Sequence, residues 1–182
     1  MNSTPPELMP IALADNLLEP WRSALGGDYD GYRNHVQRVL IFSRMLRALD
    51  SESLEKLAIA GAFHDLGIWA ESTFDYLEPS CTIAKQYLES SDRMAWWPEI
   101  ETIIELHHKL SSAADHSPLA EVFRQADGID VSLGMRRHGL ERAAIRQVLL
   151  AFPDHGFHMR LVTLALKRIV THPWNPLPMV KR

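Results

Sequence analysis

A single cysteine, Cys81, leaves this 182-residue chain unable to form an intrachain disulfide or a cysteine-based zinc site. That usage fits a reducing, cytoplasmic setting. Basic residues are also short. The 19 Lys and Arg stand against 23 Asp and Glu, and a formal charge of −4 argues against binding a nucleic-acid polymer. A local basic pocket for a small anion is compatible with that balance. No run approaches the ~18 consecutive apolar residues of a membrane span. The opening MNSTPPELMPIALADNLLEPW lacks the positive region and long apolar stretch of a secretory signal. A glycine-rich phosphate loop and a serine-nucleophile signature are missing as well.

What is present is a hydrophobic fraction of 46%, enough for a sizeable core within one domain spanning residues 1–182. Residues 1–10 carry Pro5, Pro6 and Pro10 and read as a loose lead-in, and the proline-punctuated 172–182 reads as an extended tail. Between them apolar residues recur at helical spacing, which predicts an all-α bundle. His35, Val39, Phe42, Leu46 and Leu49 share one face of a helix over 32–49. Asp50 and Ser51 cap the next, which runs to His64 and Asp65. Glu78-Pro79, Pro98 and Ser117-Pro118 open three more, and the spacing predicts two last helices over 139–151 and 155–171.

Several of these helices aim a nitrogen or oxygen ligand inward. His64 and Asp65 lie seven residues after Leu57 and Ala58 and continue that apolar stripe. His35 lies four residues before Val39, His107 three after Ile104, and Asp127 four after Phe123. One histidine on a helix face is more often a hydrogen-bonded core residue than a ligand. An ordered set on separate helices is different, because a buried carboxylate is costly unless paired or metal-bound. Imidazole plus carboxylate suits Zn, Fe, Mn or a similar ion. His108, rotated about 100° from His107, is better placed for substrate contact or acid–base work than for the same metal. Tyr32 lies close to His35 in the sequence. Trp69, Phe74 and Tyr76 are candidates for a pocket wall or for core. Trp96 and Trp97 read as packing or partner surface.

The set His35 in YRNHVQRVL, His64-Asp65 in GAFHDLGIW and Asp127 in RQADGID resembles the HD superfamily over roughly residues 30–135. That resemblance implies a helical bundle holding a divalent metal (Fe, Mn, Zn, Mg or Co), one ion or two. Members with two metals carry extra ligands, and the resemblance places Glu78 and His107 in those positions. It also implies hydrolysis of a small phosphate ester or anhydride, such as a nucleotide, through metal-activated water that Asp65 or Asp127 helps to orient. One departure stands out. Many phosphohydrolase members place a phosphate-reaching lysine shortly after His-Asp, where this chain has Ile68. Lys109, Arg33, Arg38 and Arg124 are candidates to supply the missing charge. Two other readings remain open at this stage: a diiron oxygenase of the same superfamily, resembling the myo-inositol oxygenase type, and a non-catalytic module with a structural metal.

Overall fold

The computed structural model describes residues 8–174 and Met179, so most of the lead-in and of the tail lies outside the described residues. Among the described residues there is no strand, and the elements are α-helices joined by short 3₁₀ turns. In chain order they are α1 (Ala12–Leu18), α2 (Arg22–Leu25), α3 (Tyr29–Leu46), α4 (Ser51–Phe63), α5 (Gly67–Ala70), α6 (Leu77–Ser90), α7 (Trp97–Leu106), α8 (Pro118–Val131), α9 (Arg142–Ala151) and α10 (Phe157–Thr171). None of them is long and apolar enough to cross a membrane.

The capping chemistry behaves as the sequence predicts. Asp50 accepts from the Ser53 N–H at 2.8 Å, and Ser117 Oγ accepts from Leu119 and Ala120 at 3.1 and 3.2 Å, with Pro118 in the first turn. Two helices end sooner than their apolar periodicity suggests. α4 stops at Phe63 and α7 at Leu106, so His64 and His107 fall on the residue just past each helix.

α3 is the central helix, with Tyr29 to Ser43 buried except for Asp30 and Arg33. A helix covered on all sides is ordinarily apolar, yet this one carries Asn34, Gln37, Arg38 and Ser43 inward. Each has a partner. Gln37 bonds both the N–H and C=O of Ile11 and the Asp15 carboxylate, which docks α1. Asn34 donates to Pro153 O at 2.9 Å, which docks the α9–α10 connection. α8 and α4 pack along α3, and α7 closes against both α4 and α8. Apolar side chains from Ala14 through Phe157, joined by Met179, form one continuous cluster around these helices. Trp96 and Trp97 pack against that cluster as half-buried residues.

One turn is packed to its limit. Gly67 opens α5 directly after the His64-Asp65 turn, and its N–H donates to the buried Ser80 Oγ at 3.0 Å. A β-carbon here would lie 2.5 Å from Tyr76 O, 2.9 Å from Pro79 Cβ and 3.0 Å from Ser80 N. Two of those neighbours are backbone and cannot swing aside. Gly67→Ala is therefore expected to destabilise the fold by about 1–3 kcal/mol through overpacking. Urea unfolding of the variant beside wild type measures it, and an unchanged midpoint would show that the α5–α6 contact is looser than this geometry.

Candidate metal centre

The centre forms where the ends of α4 and α7 meet the middles of α3 and α8. The last carbonyls of an α-helix lack intrahelical partners. In both α4 and α7 the residue just past the end supplies one: His64 Nδ1 donates to Gly61 O at 2.8 Å, and His107 Nδ1 donates to Ile104 O at 2.6 Å. A carbonyl only accepts, so each Nδ1 carries a proton, and in the neutral ring Nε2 keeps its lone pair. On α3, His35 Nδ1 donates to the Asp130 carboxylate at 2.7 Å, with the same result.

The three free Nε2 atoms converge. Those of His35 and His64 lie 3.1 Å apart, and with both rings neutral this sets lone pair against lone pair. His107 Nε2 lies 3.3 Å from Asp65 Oδ1, His64 Nε2 lies 3.4 Å from Asp65 Oδ2, and His35 Nε2 lies 3.5 Å from Asp127 Oδ1. His107 is near enough to Asp65 for ion-pair attraction but is not aligned as a hydrogen bond. Asp65 Oδ1 and Asp127 Oδ1 are buried with no hydrogen-bond partner among the described residues. Unpartnered buried carboxylate oxygens beside unprotonated imidazole nitrogens are a donor set waiting for a cation. Two overlapping groups meet the spacing for one: His35, His64 and Asp65, and then Asp65, His107 and His108, each with donor atoms within 4.8 Å of one another. Asp65 belongs to both, so the residues present fit one divalent ion or two.

Burial governs the protonation states. It pushes His64 down to about 3 against the pull of Asp65, and with the help of His107 it holds His108 well below the usual histidine range. Burial would raise Asp65, but the imidazoles of His64, His107 and His108 outweigh it and keep that carboxylate ionised. His107 is raised, because its attraction to Asp65 overcomes burial. Asp127 goes the other way. Burial, reinforced by the charges of Asp65 and Asp130, lifts it to about 6 despite His35 and His107.

The remaining sequence candidates divide. His108, expected to turn away from the metal that His107 faces, shares a donor group with His107 and Asp65. Its ring lies 4.0 Å from that of His107, centroid to centroid, and its Nδ1 is 3.6 Å from Asp127 Oδ2. Glu78 is exposed in the first turn of α6 and faces a hollow beside Trp21, Ala70 and Thr82. The second donor group is completed without it, so its assignment as a ligand is corrected; Tyr76 occupies the inward place instead, its hydroxyl 3.5 Å from His107 Nε2. Arg38 is also corrected. It is fully buried and bound to Asp130 and Phe152 O, and so does not face a substrate. Arg33 pairs with Asp15.

Lys109 and Arg124 do line a cleft of about 490 Å³ that opens from His107, His108 and Asp127, and Arg136 joins them there. Arg124 is already neutralised by Glu121 through a two-pronged pair at 2.7 and 2.8 Å. Tyr32 has a structural role: its hydroxyl donates to Ala62 O at 3.1 Å and accepts from the Asp65 N–H at 3.3 Å, which pins the His-Asp turn. Trp69 and Phe74 line a separate cleft with Ile68 and Arg160. Asp130 was not singled out by its sequence. Its only signal is its place one turn beyond Asp127 on α8, on the side that meets His35.

A carboxylate whose folded pKa exceeds its unfolded value weakens the fold when ionised. For Asp127, raised from 3.8 to about 6, the penalty is full above pH 6 and disappears as pH falls toward 3.8. In chelator, Asp127→Asn is therefore expected to be more stable than wild type by about 3 kcal/mol at pH 8, with the gap closing in acid. Added metal should reverse the order, because the variant loses a donor. Thermal melts at several pH values, with chelator and with Mn²⁺, test both signs. A variant less stable than wild type in chelator at pH 8 contradicts this electrostatic account.

No curated protein sequence and no solved structure matches the chain. The model of one family, described as HD domain, matches residues 32–132. That span covers more than half of the chain and takes in His35, His64, Asp65, His107, His108, Asp127 and Asp130, while stopping short of α9 and α10. With its donors gathered at one centre, the chain belongs to the HD-domain family.

Proposed function

We propose that this protein is a metal-dependent hydrolase of a small phosphate ester or anhydride. The observation that carries the reading is the cleft, which runs from His107, His108 and Asp127 to the cationic side chains of Lys109, Arg124 and Arg136. An anion seated there meets positive charge at one end and the donor set at the other. A divalent ion bound by these donors supplies Lewis acidity toward a phosphoryl oxygen and acidifies the water it binds.

The protein's own groups account for the rest. Asp65, held ionised and shared by both donor groups, keeps negative charge in place and does not carry protons. Proton handling falls to His108, which is partly open to the cleft and stands beside Asp127. Lys109 Nζ bonds Ser111 Oγ and Ser112 O, both neutral, and so keeps its charge for a ligand. Arg136 is exposed at the same cleft and pairs with no carboxylate among the described residues. These two therefore replace the absent lysine better than Arg124 does, and they stabilise the negative charge of a phosphoryl group.

The sharing of Asp65 by two donor groups favours one competing reading, a diiron oxygenase. A closed structural site is disfavoured because the His108 side chain is 25% exposed, on the cleft.

The test is a panel of phosphomonoesters, nucleoside monophosphates and dinucleoside polyphosphates, assayed with Mn²⁺, Zn²⁺ or Fe²⁺, in air and without oxygen. Hydrolysis at equal rates in both atmospheres, stopped by chelator, is expected. Lys109→Met and Arg136→Met should each lower kcat/KM about 10–100-fold, as loss of a charged hydrogen bond implies, and leave metal affinity unchanged. Oxygen uptake by an iron-loaded protein that turns over no phosphate compound would replace hydrolysis with oxidation.

A further inference from the structure

The donor residues lie within the span shared with the family, but the group that orients one of them is anchored outside it. Asp130 is fully buried and accepts from three sides: His35 Nδ1 at 2.7 Å, Arg38 Nη2 at 2.9 Å and Arg38 Nε. Burial alone would keep such a carboxyl neutral, and the bonds from His35 and Arg38 hold it ionised, down to about 2. Arg38, itself fully buried, spends its remaining nitrogen on Phe152 O at 2.9 Å. The next residues continue the contact. Asn34 donates to Pro153 O, and Phe157 stacks on the His35 ring with centroids 4.3 Å apart and planes 20° apart. His158 Nε2 lies 2.9 Å from Asp130 O, and its other nitrogen pairs with Asp154. Gly31 leaves room for this segment, since a β-carbon there would sit 3.1 Å from Asp154 O and 3.3 Å from Phe157 Cβ.

We infer that Asp130 is a positioning residue for His35, and that residues 152–158 form a clasp that completes the metal centre from outside the family-matched span. The chemistry is specific. A histidine that donates through Nδ1 to a carboxylate is fixed in the tautomer that leaves Nε2 for a metal, and its basicity rises. Arg38 grips both oxygens of that carboxylate and so fixes how it faces His35. The clasp holds Arg38 through Phe152 O and holds the face of the His35 ring through Phe157. The geometry of a metal ligand thus depends on a connection almost 120 residues away in the chain, Asn34 to Pro153 being one of its bonds.

The inference rests on the metal reading of the centre, but not on the reaction. Its test is equilibrium titration of the full chain with Mn²⁺ and Zn²⁺ against a competing chelator. Helical circular dichroism is recorded on the same samples. Asp130→Asn keeps an acceptor and loses the charge. Arg38→Met combined with Asp130→Leu removes the whole ion pair, and such apolar replacements of buried pairs commonly fold. Loss of an orienting partner lowers metal affinity by about 10–100-fold. The lower end is expected for Asp130→Asn and the upper end for the double variant, with helical signal retained in both. Wild-type affinity in both variants would overturn the positioning role and leave the metal centre standing, as would a loss of metal matched by an equal loss of helical signal. A wild-type chain that takes up neither ion would overturn the centre and the clasp together.

Discussion

Five donors, His35, His64, Asp65, His107 and Asp127, are buried together, and each is at most 3% exposed. Grouping so many electron pairs away from water is unfavourable unless positive charge returns to balance them. The chain supplies little of it. Among the described residues Arg38 is the one fully buried cation near the centre, and Asp130 consumes it. The fold is arranged around this imbalance. Each of the three inward imidazoles has its proton drawn outward, to Gly61 O, Ile104 O or Asp130. In the neutral rings that arrangement leaves every Nε2 without a proton and makes the centre more electron-rich. A core built only for stability would turn at least one of those protons inward, toward Asp65 Oδ1 or Asp127 Oδ1.

The helix ends do two jobs in this arrangement. An imidazole that satisfies a final-turn carbonyl is a favourable way to finish a helix. α4 and α7 both finish in this way, so their terminal histidines reach the centre with ring orientation and tautomer already fixed. Tyr32 reinforces the first of these turns by bonding on both sides of His64, to Ala62 O and to the Asp65 N–H. The same turn runs into Gly67, where the backbone of α6 approaches too closely for a side chain. Metal-site geometry and tight backbone packing are therefore one local problem, solved between residues 61 and 80.

Much of this was legible in the sequence. Capping residues and apolar spacing located the main helices. The inward-facing His35, His64, Asp65, His107 and Asp127 were readable because a polar residue on an apolar stripe needs a reason to be there. The limits are physical as well. Apolar periodicity does not say where a helix stops, and helical geometry continued past Leu106 turned His108 away from a centre that it joins. A basic residue reads alike whether it is exposed or buried, so Arg38 passed for a substrate contact. Glu78 was placed by resemblance alone, and the first turn of α6 presents it to the surface. Asp130 depends on a contact with His35 across 95 residues, which no local pattern encodes.

The direction from which a substrate reaches the centre follows from what closes its other sides. On the α5 side, Ile68 and Trp69 are buried. Trp69 packs its ring on Tyr32 at 4.9 Å and donates to Asp28 at 2.8 Å. This wall separates the centre from the cleft under α10, whose Arg160 is already paired with Asp28. On the α3 side, Phe157 and the clasp cover the outer face of His35. The turn after α7 and the outer end of α8 remain, and Lys109 and Arg136 stand there with their charges uncommitted to carboxylates among the described residues. The cationic rim therefore lies across the centre from the His-Asp turn, on the wall that Lys109 and Arg136 share with His108, the one histidine of the centre that is partly exposed among the described residues.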